Sequence, residues 1–127
     1  MAQYAEIVEI VAPAQAAPGA LVNVTVKIQN LYSAPMSIGV TGVLDYGVTP
    51  WPDIQFPEDW ATVDGGDVAE FSGYFYMPDK SVTIHAYSFW YGDDGTWHFD
   101  DEKTKNVAAA VLTPQISEFR IADFARV

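Results

Sequence analysis

Two histidines and a concentration of carboxylates are the residues of this chain best equipped for chemistry. Asp93, Asp94, Asp100, Asp101 and Glu102 lie close together, and hard oxygen ligands of this kind suit Ca²⁺. Their spacing departs from an EF-hand loop, which needs oxygens at alternate positions and a closing glutamate. The ordinary reading is a solvated turn followed by a charged strand. His85 and His98 are the only histidines, and two imidazoles beside a carboxylate such as Glu102 would interest a metal ion. They are expected several residue pairs apart, beyond shared ligation distance, so neither a metal nor any cofactor is expected. No serine sits in a nucleophile elbow: Ser72, Ser81 and Ser88 fall in or beside strands, and no glycine-rich phosphate loop precedes a helix. Asp64 and Asp67 are separated by glycines in a turn rather than aimed across a cleft, which leaves Asp100 with Glu102 as the carboxylate pair to examine for hydrolysis. Asn23-Val24-Thr25 has the form of a glycosylation acceptor but falls inside a strand. The chain is therefore expected not to be an enzyme.

The aromatic residues carry more information. Val82 to Tyr91 alternates, with Val82, Ile84, Ala86, Ser88 and Trp90 on one side and Thr83, His85, Tyr87, Phe89 and Tyr91 on the other. A turn at Gly92-Asp93-Asp94-Gly95 joins it to a strand from Thr96 to about Val111. If Asp93 and Asp94 form the central pair of that turn, Trp90 faces Trp97, Phe89 faces His98 and Tyr87 faces Asp100. In that register Tyr87, Phe89, Tyr91 and His98 make an outward patch, while Trp90, Trp97 and Phe99 take the core side. Such a patch suits a protein subunit or a sugar ring, because aromatic faces give large contact area at little entropic cost. It suits equally a covering by the Trp51–Trp60 loop, by another strand or by the C-terminal segment.

These residues must be positioned by a chain of 127 residues that is 50% apolar, 14% aromatic and 18% charged. That is one domain's worth, with enough apolar side chains for a core despite a net charge of −11. Zero cysteines exclude a disulfide scaffold, a thiolate metal site and a cysteine nucleophile. A pI near 4.2 argues against nucleic acid and anionic membrane surfaces as partners. Prolines, glycines and charges interrupt every apolar stretch before it reaches membrane-spanning length, so membrane insertion is not expected. No signal peptide is visible after Met1-Ala2-Gln3-Tyr4. Retention in the cytoplasm, a removed signal and release of a virion by lysis all fit that start.

Gly19 to Asn30 alternates strictly, Val22, Val24, Val26 and Ile28 against Asn23, Thr25, Lys27 and Gln29, which predicts a half-buried strand. Tyr4 to Val11 precedes it, with a turn at Ala17-Pro18-Gly19. Met36 to Tyr46 reads as a third strand with Met36, Ile38, Val40, Gly42, Leu44 and Tyr46 on one face. Gly47 to Ala61 is rich in proline and aromatics and reads as a crossing loop with a short edge strand near Ile54. Asp64-Gly65-Gly66-Asp67 turns into a strand from Val68 to Met77, where Phe71, Gly73, Phe75 and Met77 share a face. About seven short strands and no helical period predict an all-β, antiparallel β-sandwich over residues 1–112.

Pro18-Gly19 followed by alternating Val22, Val24, Val26 and Ile28 and then Asn30 resembles the second strand of immunoglobulin-like modules, in particular the bacterial cell-adhesion-related domain CARDB. The resemblance covers residues 4–30 closely and the rest through strand count. It implies an immunoglobulin-like sandwich and, for function, adhesion.

Thr113-Pro114 breaks the chain, and residues 113–127 read as a C-terminal tail strand carrying Ile116, Phe119, Ile121 and Phe124. This segment either closes its own sandwich or adds to a sheet edge of a neighbouring subunit. The expected role is thus a non-enzymatic structural or interaction subunit of an extracellular or viral assembly, foremost a virion component that decorates a capsid or belongs to a tail. Its partners would be proteins, through self-assembly or a particle lattice, and not nucleic acid. The alternative is a secreted adhesion or carbohydrate-binding module with a glycan ligand.

Overall fold

Branched apolar residues at every second position favour extended, half-buried backbone, and the strands lie where that pattern puts them. The computed structural model describes residues 2–110, so the expected tail strand with Ile116, Phe119, Ile121 and Phe124 lies outside the described residues. Eight strands follow in order: β1 Ala5–Val11, β2 Gln15–Ala16, β3 Leu21–Asn30, β4 Met36–Asp45, β5 Trp60–Val63, β6 Val68–Tyr76, β7 Val82–Tyr91 and β8 Trp97–Ala109. They make an all-β structure of two sheets, ordered β1-β3-β6 and β2-β8-β7-β4-β5. All neighbours pair antiparallel except β2, which runs parallel to the end of β8.

The inner faces meet in one core. Val22, Val24, Val26 and Ile28 of β3 and Phe71 and Phe75 of β6 join Ile38, Val40 and Leu44 of β4 and Val82, Ile84 and Ala86 of β7. Each of the valine, isoleucine, leucine and phenylalanine side chains among them stabilises the fold by about 1.5–3 kcal/mol on leaving water. The short β2 and β5 carry no periodic signal, and the sequence pattern does not anticipate them. Asn30, 0% exposed, is one of three buried polar residues among those described, with Ser88 and Asp101. Its side-chain amide donates to the carbonyls of Ala34 and Val63, both at 2.9 Å, and its oxygen accepts from the Tyr32 amide at 2.9 Å. A buried amide saturated in this way ties the 31–35 loop to β5.

The two long sides of the molecule are closed by different means. On one side the 52–56 segment bridges the sheets through its backbone: Leu44 N donates to Pro52 O at 2.9 Å, Ile54 N to Gly42 O at 2.8 Å, and Gln55 and Tyr74 exchange bonds of 3.0 and 2.9 Å. Glycines make room for it. A Cβ on Gly73 would stand 2.7 Å from the Phe56 ring, and one on Gly42 would stand 2.9 Å from Ile54. On the other side, side chains of β7 and β8 meet the outward edge of β1. Asp100 accepts from the amides of Gln3, Tyr4 and Ala5 at 2.7, 2.8 and 2.6 Å, and Asp101 accepts from Ile7 N at 3.0 Å. Ser88 Oγ donates to Ala5 O at 2.6 Å, and Lys103 Nζ donates to Ile7 O at 2.7 Å.

The register of the β7–β8 hairpin corrects the expected one. Gly95 has φ +77° and its amide donates to Gly92 O at 3.0 Å, while Gly92 N donates to Thr96 O at 2.9 Å. The connection is therefore a three-residue loop with glycine in the left-handed region, not a two-residue turn. Tyr91 faces Trp97, Trp90 faces His98 and Phe89 faces Phe99. A second irregularity between Ser88 and Phe89 leaves Asp100 unpaired, and Tyr87 then faces Glu102 rather than Asp100. This bulge lets the consecutive residues Asp100 and Asp101 both reach β1.

Candidate functional site

Because side chains alternate along strands, the corrected register decides which rings share the outer face of the five-stranded sheet. Tyr87, Phe89 and Tyr91 lie there as expected. His98 does not: it sits on the other side of the hairpin, stacked on Trp90 with centroids 4.3 Å apart and planes 19° apart. Its Nε2 lies 2.9 Å from an Asp94 carboxylate oxygen. That hydrogen bond, followed by those from the Thr96 amide and hydroxyl, holds the Asp94 carboxyl below its ordinary range. Trp97 and Phe99, expected in the core, are on the outer face instead, beside Tyr91 and Phe89 respectively.

The outer face is a succession of cross-strand rows. The row Trp60–Gly39–Phe89–Phe99 crosses β5, β4, β7 and β8, with the glycine as a gap among three rings. Trp97 leans into that gap: a Cβ on Gly39 would stand 3.3 Å from its ring. Trp97 meets Trp60 at 6.5 Å and 62°, and Tyr91 at 5.2 Å and 67°. Phe99 meets Phe89 at 5.9 Å and Tyr87 at 6.0 Å. A cleft of about 310 Å³ opens over the glycine, lined by Gly39, Thr41, Asp59, Trp60, Phe89 and Trp97 among others. Trp60, Tyr91, Trp97 and Phe99 are 55%, 45%, 44% and 58% exposed, so the ridge around the cleft faces solvent.

Farther along the face the rows become polar. Burial, and secondly the Glu102 carboxylate, push the Tyr87 phenol above its ordinary 10.0. Trp51, from the crossing loop, stacks on His85 at 4.7 Å and 27°, and His85 Nδ1 lies 3.0 Å from Glu102. The crossing loop thus covers the His85 end and contributes Trp60 to the rim of the aromatic end. Of the carboxylates singled out for chemistry, Asp100 spends both oxygens on backbone amides. Glu102 serves His85, so the two do not converge on a substrate position. Trp60, Trp97, Phe99 and Gly39 were missed as site residues. The glycine after Asp93-Asp94 was the available signal for the first irregularity, and no sequence signal marks Gly39.

No family model and no curated protein matches the chain. Among solved structures, the alkylpurine DNA glycosylase AlkC of Pseudomonas fluorescens, bound to DNA containing an abasic site analogue, is similar with a TM-score of 0.58 and 13% identity over 84% of this chain. This chain spans 31% of that one. A FixG-related protein from Vibrio parahaemolyticus has a TM-score of 0.56 and 10% identity, with 86% of this chain and 99% of that one covered. A chain of the human complex between zinc 2-glycoprotein and prolactin-inducible protein has a TM-score of 0.53 and 13% identity, covering 83% and 97%. At these identities the likeness is one of fold alone. Among the described residues no helix is long and apolar enough to cross a membrane.

Proposed function

We propose that this chain is a non-enzymatic, immunoglobulin-like interaction module, a building block of an extracellular or virion assembly, and that the outer aromatic face of its five-stranded sheet is the docking surface. The observation that carries this reading is the ridge of Trp60, Tyr91, Trp97 and Phe99 around the cleft at Gly39. Large rings held at a protein surface are disfavoured in water at about 25 cal/mol per Å² and become favourable when a partner covers them. Aromatic residues are also the side chains enriched in interface cores.

The strand order supports the immunoglobulin-like part of the reading. With β1, β3 and β6 on one sheet and β8, β7 and β4 on the other, it follows the constant-type order, except that the four-residue β5 pairs with β4 rather than β6. The resemblance of Pro18 to Asn30 to CARDB domains belongs to the same proposal. DNA, the ligand of the similar glycosylase, does not suit a chain of net charge −11. The paired indoles of Trp60 and Trp97 favour one second reading, a carbohydrate-binding module in which a sugar ring stacks on them.

Light scattering on the full chain, from micromolar to millimolar concentration, tests the docking surface against a Trp60→Ser/Phe99→Ser variant. Both positions are more than half exposed, so the variant is expected to keep the fold, which circular dichroism checks. Association that the variant abolishes is expected. Association that the variant leaves intact would remove the aromatic face from the proposal.

A further inference from the structure

Two properties of the cleft over Gly39 define its occupant. Its lining includes the rings of Trp60, Trp97 and Phe89, and aromatic rings attract cations, above all a guanidinium, which stacks on indole. Its surroundings are acidic: Asp59 is the charged residue of its lining, and residues 111–127 hold two acidic and two basic groups, so the −11 belongs to the rest of the chain. Residues 2–110 contain four lysines and no arginine. Both arginines of the chain, Arg120 and Arg126, fall within the C-terminal segment, and Arg120 stands between Phe119 and Ile121.

For Arg120, chain length weighs against its own cleft. The cleft lies at the Gly39–Phe89–Phe99 row, and Phe99 is about 33 Å from Ala109 along β8 at roughly 3.3 Å per residue. The eleven residue steps from Ala109 to Arg120 span at most about 36–40 Å when fully extended. An intramolecular contact would need the chain to reverse direction at the end of β8 and then run nearly extended back along its own sheet, whereas a second copy imposes no such demand. We propose that the cleft over Gly39 receives the Arg120 guanidinium of a second copy of this chain. The inference rests on the reading of the aromatic face as the docking surface.

The test is light scattering on full-length chains: native, Trp97→Ala, Trp60→Ala, Arg120→Gln, Arg126→Gln, and an equimolar mixture of Trp97→Ala with Arg120→Gln. Circular dichroism accompanies each, and Trp60→Ala stands in should Trp97→Ala fail to fold. Native chain is expected to associate, each cleft variant and Arg120→Gln to weaken association at least about tenfold, and Arg126→Gln to behave as native. The mixture is expected to recover association, because it restores one intact cleft and one intact arginine on different molecules. Native chain monomeric to millimolar concentration, Arg120→Gln associating as native does, Arg126→Gln matching the loss, or a mixture without recovery would each overturn the inference. If the cleft variants abolish association and Arg120→Gln does not, the inference fails while the aromatic docking surface stands; if none has an effect, both fail. Arg120→Gln associating normally while cellobiose shifts the Trp97 indole resonance would assign the cleft to a sugar.

Discussion

Removing the Asp100 carboxylate should cost this protein a large part of its stability. Its oxygens accept from the amides of Gln3, Tyr4 and Ala5 at 2.7, 2.8 and 2.6 Å, the last two part-buried. A hydrogen bond to a charged group contributes about 1.5–3 kcal/mol; taking the low end for the two part-buried bonds and about 0.5 for the exposed one gives about 3.5 kcal/mol for Asp100→Ala. Against the 5–15 kcal/mol typical of a domain that is a severe loss, and at about 3–5 °C per kcal/mol for this size it lowers Tm by about 10–17 °C. Asp100→Asn keeps a carbonyl oxygen and should fall about midway. Thermal unfolding followed by circular dichroism gives the global effect. Amide exchange at Tyr4 and Ala5 gives the local one, and in Asp100→Ala it should accelerate more than exchange in β3. A variant melting within about 2 °C of the parent, with unchanged protection at Tyr4 and Ala5, would refute the reasoning.

Asn30→Ala removes three side-chain hydrogen bonds, among them the one to the Val63 carbonyl, so urea unfolding should shift by about 2–4 kcal/mol at unchanged m. Gly73→Ala drives a methyl against Phe56 and the Gln55 carbonyl and should cost about 1–3 kcal/mol in the same assay. Tyr87 should ionise above 10.0, read as the phenolate absorbance that Tyr87→Phe removes from an alkaline titration. Because its folded-state pKa is raised, the stability it contributes is present below the unfolded value and is lost as pH rises through the folded one. Ionisation at or below the ordinary value would contradict the burial described for it.

Much of the fold was legible because period-two burial leaves a mark in the sequence. β3 and β6 alternate without a break and β7 does so from Val82 to Ser88, and the residues assigned inward over those stretches are buried, whereas Trp90, assigned to the core side, is only half-buried. β2 and β5 were not legible, since strands of two and four residues hold too little pattern and exist because their neighbours present edges. The site was half legible. Tyr87, Phe89 and Tyr91 followed from alternation within one strand, whereas the partner set across the hairpin depended on counting through a turn. One glycine in the left-handed region shifted that count, which moved Trp97 and Phe99 outward and His98 away. Trp60 joins them only through tertiary pairing with Gly39, which no local pattern encodes.

The side chains along β1 have a consequence for what the molecule must avoid. A strand at the rim of a sheet is a template on which another chain can grow, and its backbone groups are what a growing aggregate copies. At Ala5 and Ile7 those groups are already engaged by Asp100, Ser88, Asp101 and Lys103. Substitutions that strip this covering do more than weaken the fold: they uncover an adhesive rim able to recruit copies indiscriminately and without a stoichiometric end. Such growth would ignore Arg120 and Trp97, which would separate it from the docking proposed for the aromatic surface, and on that argument the acidic pair in β8 shields an edge, a duty that no catalytic reading of those carboxylates would supply.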